Sequence, residues 1–133
     1  MHLARHRLAD LFIDTYPYGA HTTACHALWA GLPVLTQRGE TFVSRVSASI
    51  LHAIGLPELI TESLTAYEAR AFELARDPAQ LEALRQKLAR QRLTTPLFDN
   101  ERFGRHVDRA FVLMVERWRR GEPPVSFDVA AVD

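Results

Sequence analysis

His21, Thr22 and Thr23 place an imidazole and two hydroxyls side by side, directly after the turn-forming run Asp14-Thr15-Tyr16-Pro17-Tyr18-Gly19-Ala20. Groups of this kind, together with main-chain N–H groups at a helix start, hold a phosphate or diphosphate without a metal. Leu11-Phe12-Ile13 before them reads as a buried strand, and Pro17 and Gly19 break regular structure after it. Thr22 or Thr23 is expected to cap a helix by accepting a backbone N–H bond. Ala24 to Ala30 is mostly small or apolar, and Gly31-Leu32-Pro33 ends that helix before a second strand, Val34-Leu35-Thr36. A loop from a strand tip to a helix N-terminus is where parallel α/β folds bind anions, because unpaired N–H groups and the helix dipole point outward there. Taken alone, the residues leave two readings open: a phosphate held by His21, Thr22 and Thr23, or a capped helix carrying a surface histidine.

Other chemistries find weaker support. His2 and His6 are spaced i, i+4, and His21, Cys25 and His26 lie close together. A metal site needs three or four convergent ligands, and His21 and His26 diverge on a helix, so no metal is expected. No Gly-x-Ser-x-Gly elbow is present to support a hydrolase. Arg45 faces a diphosphate or pairs with Glu40 across one turn, and the structural role is favoured. Cys25 reads as a small core residue.

The elements that position these groups follow from the chain's pattern. Residues 8–14, 33–36 and 58–61 read as strands, and helices are expected over 22–30, 41–54, 65–76, 79–92 and 101–120. In the second helix Phe42, Val46, Ile50 and Ile54 recur every four residues, as one buried face requires. Ser63 or Thr65 should cap the third, and Asp77-Pro78 supplies a cap and a first-turn proline for the fourth. Phe103, Phe111, Met114 and Trp118 in the last helix are expected to be core. Strands alternating with helices predict an α/β fold with a parallel sheet, and three strands are few enough to leave an unpaired edge. The chain then divides into a domain over 1–120 and a disordered tail over 121–133.

Sixteen Lys and Arg balance sixteen Asp and Glu, so charge gives no reason to expect nucleic acid or an anionic membrane as partner. No apolar run approaches the roughly 20 residues that span a bilayer. One cysteine excludes an intrachain disulfide and fits a reducing, cytoplasmic compartment.

Six blocks in register carry a resemblance. They are Leu8-Ala9-Asp10-Leu11-Phe12-Ile13-Asp14-Thr15, His21-Thr22-Thr23, Ala27-Leu28-Trp29-Ala30-Gly31-Leu32-Pro33-Val34, Gly39-Glu40-Thr41-Phe42-Val43-Ser44-Arg45-Val46, Gly55-Leu56-Pro57-Glu58-Leu59-Ile60 and Thr95-Pro96-Leu97-Phe98-Asp99. Together they resemble the C-terminal end of the O-linked N-acetylglucosamine transferase (SPINDLY-like) glycosyltransferases, from about His2 to about Trp118. The resemblance implies the C-terminal half of a GT-B glycosyltransferase: a partial Rossmann-like parallel sheet followed by C-terminal helices. It implies UDP-N-acetylglucosamine as donor substrate, no metal or other cofactor, and a Ser or Thr hydroxyl of a protein acceptor.

Residue by residue, it places His21, Thr22 and Thr23 at the diphosphate and sugar, and His2 against the uracil base, where an imidazole face can stack. His2 also reads as a frayed terminal residue. His26 departs from the family, whose carboxylate there accepts hydrogen bonds from ribose hydroxyls; a neutral imidazole can accept only one, on one nitrogen. Acceptor binding through tetratricopeptide repeats, the N-terminal catalytic domain and the leaving-group lysine would all lie upstream, so no catalytic residue is expected in this stretch and the chain alone should be inactive. The alternatives are a nucleotide-binding or interaction module that has lost catalysis, which His26 favours, and a truncated gene product.

Overall fold

The computed structural model describes residues 2–131; Met1 and the last two residues of the expected tail, Val132 and Asp133, lie outside the described residues. The chain divides into two units, residues 1–97 and 98–133.

In the first unit, strands β1 (Phe12–Ile13), β2 (Val34–Gln37) and β3 (Ile60–Thr61) form a sheet in the order β1-β2-β3. Both pairings are parallel, with Phe12 opposite Val34 and Thr36 opposite Ile60. The expected α/β fold is therefore what the chain adopts, with shorter outer strands than the apolar runs suggested. Helices α1 (Thr22–Trp29), α2 (Val46–Ala53), α3 (Leu64–Arg76) and α4 (Pro78–Gln91) alternate with or follow the strands. Val34, Leu35 and Thr36 are all buried although successive strand residues point to opposite faces, so β2 is covered on both sides. Helices α1 and α2 touch each other and β2, while α3 packs on β2 and β3 and carries α4.

Local chemistry sets the element ends. Gly31 takes a φ of +87°; its N–H bonds to Leu28 O at 3.1 Å and Leu32 N–H to Ala27 O at 2.9 Å, the paired bonds of a left-handed helix cap. Ser63 caps α3 by accepting from Ala66 N at 3.2 Å, and Asp77 caps α4 by accepting from Gln80 N at 3.0 Å ahead of Pro78.

The expected helix over 41–54 is broken. A 3-10 turn over Phe42–Ser44 precedes α2, which starts at Val46, and the buried residues are Ser44, Ser47, Ala48 and Leu51, joined from the expected face by Ile54. Phe42 is 78% exposed instead. The small Ser47 and Ala48 let the helix approach the backbone that leads into α1, where the Ser47 hydroxyl donates to Ala20 O at 2.5 Å.

In the second unit, Asp99 caps α5 (Asn100–Arg119) by accepting from Arg102 N at 2.9 Å. Arg117 pairs with Glu122 at 3.1 Å and donates to Pro123 O at 3.3 Å, and Met114, Trp118, Pro124 and Phe127 line a hollow of about 220 Å³. Phe103, Phe111, Met114 and Trp118 are 52–77% exposed, contrary to their expected place in the core. Helical spacing establishes that a face is apolar; it does not supply the partner that would cover it.

Candidate functional site

The site is built on Asp14, the residue after β1. Its carboxylate is buried where the sheet ends: Oδ1 accepts from Thr15 N at 2.8 Å and Ala20 N at 2.7 Å, and Oδ2 accepts from the Thr36 hydroxyl at 2.7 Å. The Tyr67 hydroxyl of α3 donates to Asp14 O at 2.5 Å. Partial burial and the nearby Asp14 carboxylate push the Tyr67 pKa up to about 12. Residues 15–20 are thus tied at both ends to one carboxylate.

Gly19 completes the anchorage. Its N–H donates to Val43 O at 3.0 Å, and a Cβ there would lie 3.2 Å from Asp14 Oδ2 and 3.3 Å from Val43 O. The loop packs too closely for a side chain at that point.

What this frame delivers is His21, the N-cap of α1. Its ring stacks on Tyr18 with centroids 5.4 Å apart and meets the edge of Phe42 at 6.1 Å. The cap falls one residue before the expected Thr22 or Thr23, because Asp14 takes the Ala20 N–H and the helix begins at Thr22 itself. No side chain caps the helix end. His21 Nε2 is shielded from solvent and has no hydrogen-bond partner. Beside it lies a hollow of about 460 Å³ lined by Ile13, Tyr18, Gly19, His21, Thr22 and Thr23, at the carboxyl end of β1.

His26 follows Thr23 by three residues and Thr22 by four, and so shares their face of α1. His2, from the 3-10 turn that continues over Leu3–Leu8, reaches it: His2 Nε2 lies 3.1 Å from His26 Nδ1. Arg5 Nη2 donates to His2 Nδ1 at 2.8 Å, and the His6 ring stands edge-on to His2 with centroids 5.3 Å apart. Desolvation, then the Arg5 guanidinium, then the His26 and His6 imidazoles hold the His2 pKa below the usual histidine value.

Of the five residues named from the sequence, His21, Thr22 and Thr23 therefore share one hollow, while His2 and His26 meet each other farther along the same helix. The frame residues Asp14 and Tyr67, and Arg5 behind His2, escaped the sequence reading. A carboxylate ending an apolar strand run was the available signal for Asp14; nothing local marked the other two.

The remaining candidates fall elsewhere. Arg45 and Glu40 line a second hollow of about 780 Å³ with Gln37, Arg38 and Glu62, and no ion pair joins the two among the described residues. Cys25 is half-buried, and burial pushes its thiol up. Among the described residues no three His, Cys, Asp or Glu side chains converge as a metal site requires. Among the described residues no helix is long and apolar enough to cross a membrane.

Comparison with known proteins gives this geometry a family. A probable UDP-N-acetylglucosamine–peptide N-acetylglucosaminyltransferase, SEC, of Arabidopsis thaliana is 38% identical over 133 residues, covering 99% of this chain. A UDP-N-acetylglucosamine–peptide N-acetylglucosaminyltransferase of Caenorhabditis elegans is 34% identical over 122 residues, covering 92%. The chain spans 14% and 11% of the lengths of these two relatives. A solved structure of a mutant Thermobaculum terrenum O-GlcNAc transferase matches with a TM-score of 0.79 and 34% identity, over 84% of this chain and 22% of the other. Residues 1–107 match glycosyl transferase family 41, and to that family this chain belongs.

Proposed function

We propose that this chain is the donor-binding portion of a protein O-N-acetylglucosaminyltransferase, taking UDP-N-acetylglucosamine and serving transfer to Ser or Thr hydroxyls of a protein acceptor. The observation that carries the reading is the hollow at the carboxyl end of β1, where His21, Thr22 and Thr23 surround a helix end that no side chain caps. In this proposal the diphosphate lies at that helix end and accepts from main-chain N–H groups and the two hydroxyls, with the His21 ring beside it. His2 and His26 lie toward the nucleoside, one turn farther along α1. The Asp14 frame supplies rigidity: the loop that carries His21 is fixed before the ligand arrives, which lowers the ordering cost of binding.

Binding and transfer separate in this reading. The chain's share of its relatives' length supports a role within a longer transferase, with the acceptor-binding and catalytic groups contributed from outside residues 1–133. No metal is required, since positive potential at the diphosphate comes from the helix end and the imidazole. The cytoplasm is the compartment we assign to it.

Calorimetric titration of UDP into the full chain tests the reading. Saturable binding is expected, weakened roughly tenfold by His21→Ala and by Thr22→Ala, the loss of about 1.5 kcal/mol that accompanies one charge-assisted hydrogen bond. Binding unaffected by both substitutions in folded variants would place the nucleotide elsewhere, and no binding at all would sink the proposal.

A further inference from the structure

The contact between His2 and His26 has a direction, and Arg5 sets it. Two neutral imidazoles that face each other nitrogen to nitrogen must divide the roles of donor and acceptor, and either division is possible for an isolated pair. This pair is not isolated. The Arg5 guanidinium, 2.8 Å from His2 Nδ1, carries donors only and does not lose its proton. His2 Nδ1 must therefore accept, and the proton of neutral His2 resides on Nε2. That proton lies on the line to His26 Nδ1, 3.1 Å away, so His26 Nδ1 accepts in turn. Neutral His26 is left with its proton on Nε2, the one ring nitrogen not engaged by His2.

We infer that Arg5, acting through His2, fixes His26 as a hydrogen-bond donor, so that this chain meets a nucleotide's sugar hydroxyls by donating to their oxygens where a carboxylate would accept their protons. The inference rests on the proposed reading for the ligand it names, because His26 shares the helix face of Thr22 and Thr23. The arrangement of the three side chains themselves does not depend on that reading. Arg5 and His2 are positioning residues here; only His26 touches the sugar.

The surroundings favour the neutral relay. His2 is flanked by Arg5, His6 and His26, with no carboxylate among those partners, so a proton added to it meets only cationic or neutral neighbours. A doubly protonated His26 could not accept from His2 and would break the line from its far end. A neutral His26 that accepts from His2 has no lone pair left for a ribose hydroxyl, because its one acceptor is used within the protein.

The test reads tautomers directly. Histidine-labelled full chain, studied by long-range proton–nitrogen correlation at about pH 7.5, above the usual histidine pKa, should give both His2 and His26 with the proton on Nε2. Arg5→Ala should release His2 into a mixture of tautomers and carry His26 with it, whereas Arg5→Lys, which keeps a cationic donor, should hold both. The His52 and His106 signals serve as the folding control. Adding UDP should shift the His26 Nε2–H resonance and leave the His2 tautomer unchanged. His26 found mainly with its proton on Nδ1 in the unsubstituted chain overturns the inference even if Arg5→Ala fails to fold. So does a folded Arg5→Ala chain with both tautomers unmoved, or UDP that binds without shifting the His26 Nε2–H signal. Absence of UDP binding overturns the proposed function and the sugar contact together, and the tautomers of the free chain still decide whether Arg5 sets the relay.

Discussion

The Thr36 hydroxyl, on the central strand, donates to Asp14 Oδ2 at 2.7 Å across the end of β1. This bond links the sheet to the loop that carries His21, since Oδ1 of the same carboxylate holds Thr15 N and Ala20 N. Asp14→Ala would leave these three donors without their acceptor in a buried place. At about 1–3 kcal/mol for each unsatisfied group, a loss of about 3 kcal/mol or more is expected. Asp14→Asn keeps the oxygen that accepts from both N–H groups, and the rotating Thr36 hydroxyl can turn to accept from the new amide, so its cost should be about half as large. Urea unfolding of the two variants checks the order; an Asn variant as unstable as the Ala variant would mean that the charge, not the geometry, holds the loop.

Tyr67 ties α3 to the same point through its bond to Asp14 O. Tyr67→Phe keeps the ring and removes the donor, so a loss of about 1 kcal/mol is expected, close to the usual net value of one hydrogen bond. With its pKa pushed up to about 12, Tyr67 should be the last tyrosine to ionise. Ultraviolet titration of the chain and of the Phe variant checks this: the variant should lack the most alkaline step, and a step that persists there in the variant would overturn the assignment.

The segments that announced themselves in the sequence are those whose cause is local. Ser63, Asp77-Pro78 and Gly31 end or begin helices through contacts within a few residues, and each stands where its type required. The parallel sheet followed from apolar runs alternating with helices. Phe42 and Ile50 misled because the 3-10 turn ahead of α2 changes the phase of the face, and a helical period assumes one uninterrupted helix. The pairing of His2 with His26 spans 24 positions in the chain and depends on where the first turn folds back, which no local pattern encodes. Asp14 was legible as a loop residue and illegible as a hub, because its partners Thr36 and Tyr67 come from other elements.

His2 makes the contact between the first turn and α1 sensitive to acid. Its folded-state pKa lies below the usual histidine value of about 6.5, so the unfolded chain binds the proton more readily. By linkage, stability is full above about pH 6.5 and falls as pH drops from there toward the depressed folded-state value. The expected observation is a urea midpoint that falls on acidification below pH 6.5 more steeply for the unsubstituted chain than for His2→Gln, which has nothing to titrate there. Equal slopes would show that His2 contributes nothing to the pH response.

His26→Asp changes the position at which the sequence departs from the pattern of the family it resembles. In the unsubstituted chain His26 Nδ1 faces His2, and one N–H remains for the ligand. An aspartate has two oxygens with room for several bonds, so one can accept from His2 Nε2–H while the other accepts from a ribose hydroxyl. The bond to the sugar then becomes charge-assisted, worth about 1.5–3 kcal/mol against about 0.5–1.5 kcal/mol for a neutral one. The net expectation is UDP binding stronger by about 1 kcal/mol, roughly fivefold. The carboxylate also places a negative charge along the same helix as the diphosphate, and this opposes the gain less at high salt, where exposed charges are screened within about 10 Å. The advantage of the Asp variant should therefore widen as salt is raised, and calorimetry with UDP at two ionic strengths reads both effects. An Asp variant that binds more weakly at every salt concentration would mean that His26 donates to a group with no proton to offer, a phosphate oxygen in place of a hydroxyl.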